Sequence, residues 1–374
     1  MKITMLLSNG FGPDPRVAAE AVALQSAGHQ VTIFAWDRTG SMPEQEEYQG
    51  VKVIRSQIRT TYSRGPMQVC CFLKFWQECR SFLQKNPTQA IHCHDLDTLW
   101  PGVAEGRLQK VPIIFDAHEA YPDMVAHLFP RPMVAAIRLL EKRLVPQTTA
   151  VITVGQILAR RFERLKARRV VVVGNYKKHL WDKPSEAPDC PPLRIIYVGG
   201  LNRDRLLAPL IMAIAGTTRY QLLIVGDGLE RAKLEELAAG ADNIQFTGFL
   251  PQERAREFIN LSHLVYYGVA AEYPNNQYST PNSLFLAMTA GRPMLTTAVG
   301  EIATIVQAEH CGTVLSDLHK DEIVKALERY YDPVFWKEHS RNGFQASLTK
   351  YNWEKASQNL ISLYRELECN HGQG

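Results

Sequence analysis

Leu193-Arg194-Ile195-Ile196-Tyr197-Val198-Gly199-Gly200 is where the fold of this 374-residue chain becomes readable. A short apolar run rich in β-branched residues, closed by two glycines, is the signature of a buried strand feeding a tight turn. Immediately before it, residues 174–192 carry Pro184, Pro188, Pro191 and Pro192, mixed charges and no hydrophobic period. Such a stretch reads as an interdomain linker. The chain therefore starts a second time at Leu193.

Working outward, the same rhythm appears on both sides of the linker. Upstream, residues 3–7, 30–36, 51–56, 90–93, 112–115 and 150–154 read as strands. They alternate with helical patterns at 16–27, 67–84, 99–108, 123–145 and 157–165. Downstream, strands at 193–198, 221–225, 244–247, 263–267, 293–297 and 312–315 alternate with helices at 229–239, 252–261, 281–290, 302–308 and 320–331. Strands separated by helix-length patterns imply parallel βαβ units with helices on both faces. The expectation is an α/β protein of two doubly wound, Rossmann-like domains facing a central cleft. The first domain spans 1–175, a linker 176–192 and the second domain 193–350. A last helix, about 352–367, has apolar Leu360, Leu363, Tyr364 and Leu367 at rough 3–4 spacing.

Composition agrees with an ordinary globular protein: 45% hydrophobic and 21% charged residues. No stretch is long and apolar enough for a membrane span. The run 1–7 is too short for a signal peptide and reads as a buried strand. Seven cysteines show neither a C-x-x-C pair nor zinc-like spacing with histidine. Free thiols in a reducing cytoplasm are the expectation. Charge is uneven: residues 1–180 hold 24 Lys and Arg against 15 Asp and Glu, and the remainder 18 against 23. Two readings stay open, differently solvated domains or a basic first domain facing an anionic partner. The amphipathic stretch 131–144 and the cluster 72–76 could lie against anionic lipid at the inner face of the membrane, or be core-facing helices. Nothing points to nucleic acid.

In open α/β sheets, ligands bind beyond the carboxyl ends of the strands, so the loops there carry the argument. Gly199 and Gly200 let backbone approach a ligand, and Arg203 and Arg205 supply charge for phosphate. Gly226-Asp227-Gly228 ends the next strand, as a cleft edge or a plain strand-to-helix turn. Tyr278-Ser279-Thr280-Pro281-Asn282-Ser283-Leu284-Phe285 is the strongest feature. Ser279 or Thr280 suits a helix cap, and Pro281 its first turn. The amides of Asn282, Ser283 and Leu284 would then face outward, a metal-free site for diphosphate.

In the first half, His92-Cys93-His94-Asp95-Leu96-Asp97 and Phe115-Asp116-Ala117-His118-Glu119 both end strands. No third ligand accompanies His92 and His94 by spacing, so no metal is expected. His118 and Glu119 suit sugar hydroxyls or developing positive charge, with Glu119 and Asp97 as polar support. The alternative is that Asp116 and Glu119 cap the following helix. The loop Ser8-Asn9-Gly10-Phe11-Gly12-Pro13-Asp14-Pro15-Arg16 superficially suggests a dinucleotide loop, with Asp37 as a ribose acid. It lacks the third glycine of that fingerprint, which disfavours dinucleotide binding.

The order Asp14-Pro15-Arg16-Val17, His94-Asp95-Leu96-Asp97, Asp116-Ala117-His118-Glu119, Gly199-Gly200-Leu201, Gly226-Asp227-Gly228, Phe246-Thr247-Gly248-Phe249, Pro281-Asn282-Ser283-Leu284-Phe285 and Ala290-Gly291-Arg292-Pro293 resembles glycosyltransferase family 4. The resemblance covers about residues 3–365. It implies the GT-B fold and a retaining, metal-independent hexosyl transfer. The donor would be a UDP-sugar, with UDP-glucose the first choice, and the acceptor a glycan or glycolipid in polysaccharide or glycoconjugate assembly. It implies a donor site in the second domain at Gly199, Gly200, Arg203, Arg205, Gly226, Asp227, Phe249 (near the base), Ser279, Thr280, Asn282 and Ser283. The first domain would bind acceptor through Gly10, Gly12, Arg16 and His94, with His118, Glu119 and Asp97 as the catalytic group. The segment 351–374 would cross back to the first domain. The chain departs from the family at Tyr278 and Leu286, where two glutamates usually stand, and at Gly200, where the family has an arginine. Leu286 removes the usual ribose ligand, so Arg203, Arg205, Glu272 or Glu301 would have to help. A sugar-nucleotide epimerase and a catalytically weak partner subunit are the alternatives.

Overall fold

The structure is a computed structural model that describes residues 1–12, 14–60, 69–179 and 183–371. It divides into two compact units, Met1–Gly174 with Ala356–Gly374, and Asn175–Lys355.

The first unit runs β1 (Lys2–Leu6), α1 (Pro15–Ser26), β2 (Gln30–Trp36), β3 (Gln45–Tyr48), β4 (Val51–Ser56), α2 (Val69–Lys85), β5 (Ala90–His94), α3 (Leu96–Gln109), β6 (Ile113–Ala117), α4 (Tyr121–Met124), α5 (Arg131–Leu144), β7 (Ala150–Thr153), α6 (Gln156–Arg164) and β8 (Val170–Val172). Its sheet has the order β3-β4-β2-β1-β5-β6-β7-β8. Only β3 is antiparallel to its neighbour. Every residue of β5 and β6 is buried, as expected for strands covered on both faces. The order reverses at β1, which pairs with β2 on one side and β5 on the other. That places a switch point at the carboxyl ends of β1 and β5, where open α/β sheets bind ligands.

The second unit runs β9 (Leu193–Val198), α7 (Leu207–Ile214), β10 (Tyr220–Val225), α8 (Arg231–Leu237), β11 (Ile244–Gly248), α9 (Gln252–Asn260), β12 (Leu264–Tyr267), α10 (Asn282–Ala290), β13 (Met294–Thr297), α11 (Gly300–Ala308), β14 (Gly312–Leu315), α12 (Lys320–Glu328) and α13 (Pro333–Thr349). All pairs in the order β11-β10-β9-β12-β13-β14 are parallel. Here the switch point lies at β9 and β12. Helix α10 is buried from Ser283 to Ala290, so it is a central helix without a polar face. A last helix, α14 (Trp353–His371), buries Leu360, Leu363, Tyr364 and Leu367. The Tyr364 hydroxyl lies 2.9 Å from His92 Nδ1 on β5.

Several elements differ from the sequence reading. The helix expected over 123–145 is broken. A 3-10 turn at Val125–His127 follows α4, and α5 starts after Pro130. Proline disfavours the helical conformation in the residue before it, here Phe129 before Pro130. The helix expected from Met67 is described from Val69 onward, and residues 67 and 68 lie outside the described set. Strands β3 and β8 and helices α7 and α13 were not anticipated. Strand β3 is an edge strand, Gln45-Glu46-Glu47-Tyr48, whose charges discourage pairing with a foreign strand.

Candidate functional site

At the first switch point the organising residue is Asp116, at the end of β6 and fully buried. Arg16 donates to it twice, Nε to Oδ2 at 3.0 Å and Nη2 to Oδ1 at 2.6 Å. His94 Nδ1 lies 3.0 Å and His118 Nε2 2.8 Å from Oδ2. Burial opposes ionisation of Asp116, but Arg16 and then His118 outweigh it and hold the carboxyl well below its usual range. Burial likewise opposes charge on His118, yet Asp95 and then Asp116 lift it to about 10. The ring is therefore an imidazolium at neutral pH.

Asp95 is the residue that sequence reasoning passed over. Its φ of 60° and ψ of 167° place it in a region reserved almost entirely for glycine. Such a backbone stores roughly 1–3 kcal/mol and persists where the surroundings enforce it. Asp95 accepts the His118 amide through Oδ1 at 3.2 Å, and its Oδ2 lies 3.4 Å from His118 Nδ1. Burial raises the Asp95 carboxyl to about 7. The Nδ1 distance is long for a hydrogen bond. A hydroxyl bridged by His118 Nδ1 and Asp95 fits these groups.

Asp95 and Asp116 add to the support expected for His118, and Asp97 acts on it electrostatically. The carboxylates that meet its ring are Asp95 and Asp116, while Asp97 accepts from Ser8 Oγ at 2.6 Å. Asp97 thereby ties α3 to the loop after β1. Pro101 removes the amide that would use the Asp97 carbonyl, and Trp76 Nε1 takes that place at 2.5 Å. Neither Asp116 nor Glu119 caps the next helix, whose N-cap is Ala120 without a side-chain bond.

Of Gly10, Gly12, Arg16 and His94, expected to contact acceptor, only Gly12 is exposed. Arg16 is turned inward, with Nη1 donating to the Val173 carbonyl at 2.7 Å. His94 is fully buried. Gly10 is buried beside Met42, and Arg55 Nε donates to its carbonyl at 2.7 Å. Gly12 is exposed at the loop tip, with Met42 Cε 2.8 Å from where a Cβ would stand. Asp37 is saturated by its own loop: the amides of Thr39, Gly40 and Met42 and the Thr39 hydroxyl all donate to it. At 2% exposure it is also closed off from a ribose.

Glu20 and Asp116 join His92 and His94, with one potential ligand atom from each within 4.8 Å of the others. Spacing alone could not show this. Arg16 Nη2 sits 3.0 Å from Glu20 Oε1 as well as against Asp116. The cluster thus carries its own compensating cation. Burial raises Glu20 to about 8, against the pull of Arg16.

At the second switch point, the loop after β9 and the segment after β12 meet. Arg205 Nη1 pairs with Asp204 and donates to Asn276 Oδ1 at 3.1 Å. Its guanidinium lies 5.2 Å from the Tyr267 ring centroid. Arg203 is 81% exposed, with Nε 3.1 Å from Glu230. Gly226, with φ 146°, has no room for a side chain: a Cβ would stand 1.8 Å from the Gly199 carbonyl oxygen. Gly228 meets Leu201 in the same way. Asp227 is exposed and paired to Arg231 at 3.2 Å. The Gly226–Gly228 turn therefore serves the packing of the 199–201 loop. Phe249 follows β11 and is 82% exposed, offering an open aromatic face.

Helix α10 starts one residue later than the sequence suggested. Pro281 is its N-cap, and neither Ser279 nor Thr280 caps it. The Leu284 amide is spent on the Pro281 carbonyl at 3.1 Å. What the helix start offers instead is unexpected: Thr280 Oγ1 and Ser283 Oγ are buried, with the residues 7% and 3% exposed, and have no hydrogen-bond partner among the described residues. Buried hydroxyls without partners are uncommon, and these two stand beside a helix N-terminus suited to anions. Leu286 lies in the core and Glu301 is buried in the first turn of α11.

Two family models match the chain. One, a glycosyl transferase 4-like domain, covers residues 11–176, and the other, glycosyl transferases group 1, covers 192–332. An uncharacterized glycosyltransferase of Methanocaldococcus jannaschii is 21% identical over 375 residues, 92% of either chain. Sucrose-phosphate synthase from Thermosynechococcus elongatus matches with a TM-score of 0.79 at 17% identity, over 99% of this chain and 100% of that one. Anabaena HepE in complex with UDP-glucose matches with a TM-score of 0.70 at 13% identity, over 98% and 100%. Among the described residues no helix is long and apolar enough to cross a membrane.

Proposed function

We propose, on the premise that this chain belongs to the family 4-like glycosyltransferases of GT-B fold, that it moves a hexose from a UDP-sugar to a glycan or glycoconjugate acceptor, retaining the anomeric configuration without a metal. The observation that carries the reading is the start of α10, where two buried hydroxyls lack partners beside a helix N-terminus. A diphosphate supplies acceptor oxygens for those hydroxyls and negative charge for the dipole. The exposed ring of Phe249 gives a base a stacking surface. The relative bound to UDP-glucose supports the choice of donor.

The chemistry asked of the second unit is stabilisation of a leaving diphosphate, which develops charge as the glycosidic bond breaks. The first unit holds a sugar hydroxyl between His118 Nδ1 and Asp95. A protonated His118, held by Asp116, is a fixed cationic donor there. Positioning supplies the remainder.

Incubating UDP-glucose with the chain and a panel of glycan and glycolipid acceptors, read by NMR, tests this. The expected result is UDP release with an α-linked product, abolished in His118→Ala with the fold intact. Epimerised donor would favour an epimerase. Buried Leu286 keeps a catalytically silent partner subunit in view, and inert donor with every acceptor would favour it.

A further inference from the structure

The loop after β9 offers a diphosphate little free charge. Gly200 has no side chain, Arg203 reaches away to Glu230, and Arg205 is held by Asp204 and Asn276. A different cation stands at the start of α10. Lys177 lies in the segment after β8, and its Nζ is 2.7 Å from Oδ1 of Asn282, the first residue of the helix. That is the wrong end of a helix for a cation, because the macrodipole is positive there. Arg256, on α9, is the charged group that faces it. Burial and then Arg256 press the Lys177 ammonium down to about 8. Arg256 Nε is itself buried without a partner among the described residues. Asn282 at the helix start and the backbone of Asn352, which bridges to the Lys177 backbone, are neutral. Among the described residues no carboxylate acts on Lys177.

Three positive contributions, the helix start, Lys177 and Arg256, thus meet where two hydroxyls, Thr280 and Ser283, have no partner among the described residues. An assembly of like charges in a folded protein is balanced by an anion. We propose that Lys177 is the principal phosphate-binding cation for the donor, reaching α10 from the segment after β8. This rests on the reading of the second unit as the donor site. Lys177 Nζ would leave Asn282 for a phosphate oxygen, a charge-assisted bond stronger than the amide contact it replaces.

Calorimetric titration of UDP and of uridine into the wild type, Lys177→Met and Lys177→Arg tests it. The expected result is UDP affinity about 10-fold weaker in Lys177→Met, uridine affinity unchanged, and UDP affinity largely restored in Lys177→Arg. Raising the pH from 7 to 8.5, below the ionisation of the uracil ring, weakens UDP binding by the wild type more than by Lys177→Arg. Equal UDP affinity in wild type and Lys177→Met overturns the assignment while leaving the donor site standing. Failure of the wild type to bind either compound overturns both. A circular-dichroism melt of each variant checks that a loss of affinity is not a loss of fold.

Discussion

Arg16 and Asp116, 100 residues apart in the chain, are joined by two hydrogen bonds of 3.0 and 2.6 Å in the interior of the first unit. Removing one partner of such a pair strands the other charge away from water. Arg16→Met is expected to destabilise the first unit by about 3–5 kcal/mol in urea unfolding. A change below about 1 kcal/mol would mean that the pair is far better hydrated than its burial implies.

His118 sits between Asp95 and Asp116, which raise its pKa to about 10. A raised folded value means that its contribution to stability is complete below the unfolded imidazole value of about 6.5 and is lost as pH rises through about 10. Ring nitrogen shifts in NMR are expected to show both nitrogens protonated from pH 6 to 8. In Asp95→Asn, which removes the carboxylate that raises it most, the midpoint is expected to move down. A wild-type midpoint near the ordinary value would contradict the cluster's electrostatics.

Gly226 has a positive φ and the Gly199 carbonyl where a Cβ would stand. Gly240 also has a positive φ, but open space around it. Gly226→Ala is expected to cost about 3 kcal/mol or more, against about 1 kcal/mol for Gly240→Ala. Thermal melts of the two variants compare steric closure with backbone strain alone. Equal losses would show that the 199–201 loop moves aside.

Ser283 Oγ is buried without a partner among the described residues, so its hydroxyl is expected to contribute little to the fold. Ser283→Ala is expected to leave stability within about 0.5 kcal/mol or raise it. UDP binding is expected to weaken about 5-fold, the loss of one hydrogen bond. Lower stability with unchanged UDP affinity would make the hydroxyl a structural group.

The alternating strands and helices were legible because each strand is a short apolar run and each connection has helix length. Helix α7 escaped because Leu207-Ala208-Pro209-Leu210-Ile211-Met212-Ala213-Ile214 is apolar throughout, so no 3.6-residue period marks it. The loops that end β5, β6, β9 and β12 were visible as polar or glycine-bearing breaks. Their internal assignments were not. The pairing of Arg16 with Asp116, the meeting of Glu20 with His92, and the strained φ of Asp95 are products of tertiary packing between distant segments. Nothing in local spacing signals them. Lys177 escaped for the same reason, since its partner Asn282 lies 105 residues away.

The central claim is that the second unit binds a uridine diphosphate at the start of α10. Isothermal calorimetry with UDP, GDP and ADP in the absence of divalent metal tests it most directly. The account predicts one-to-one binding of UDP, in preference to the purine diphosphates, and weaker binding in Ser283→Ala. Absence of binding by all three nucleotides to the folded wild type would contradict it.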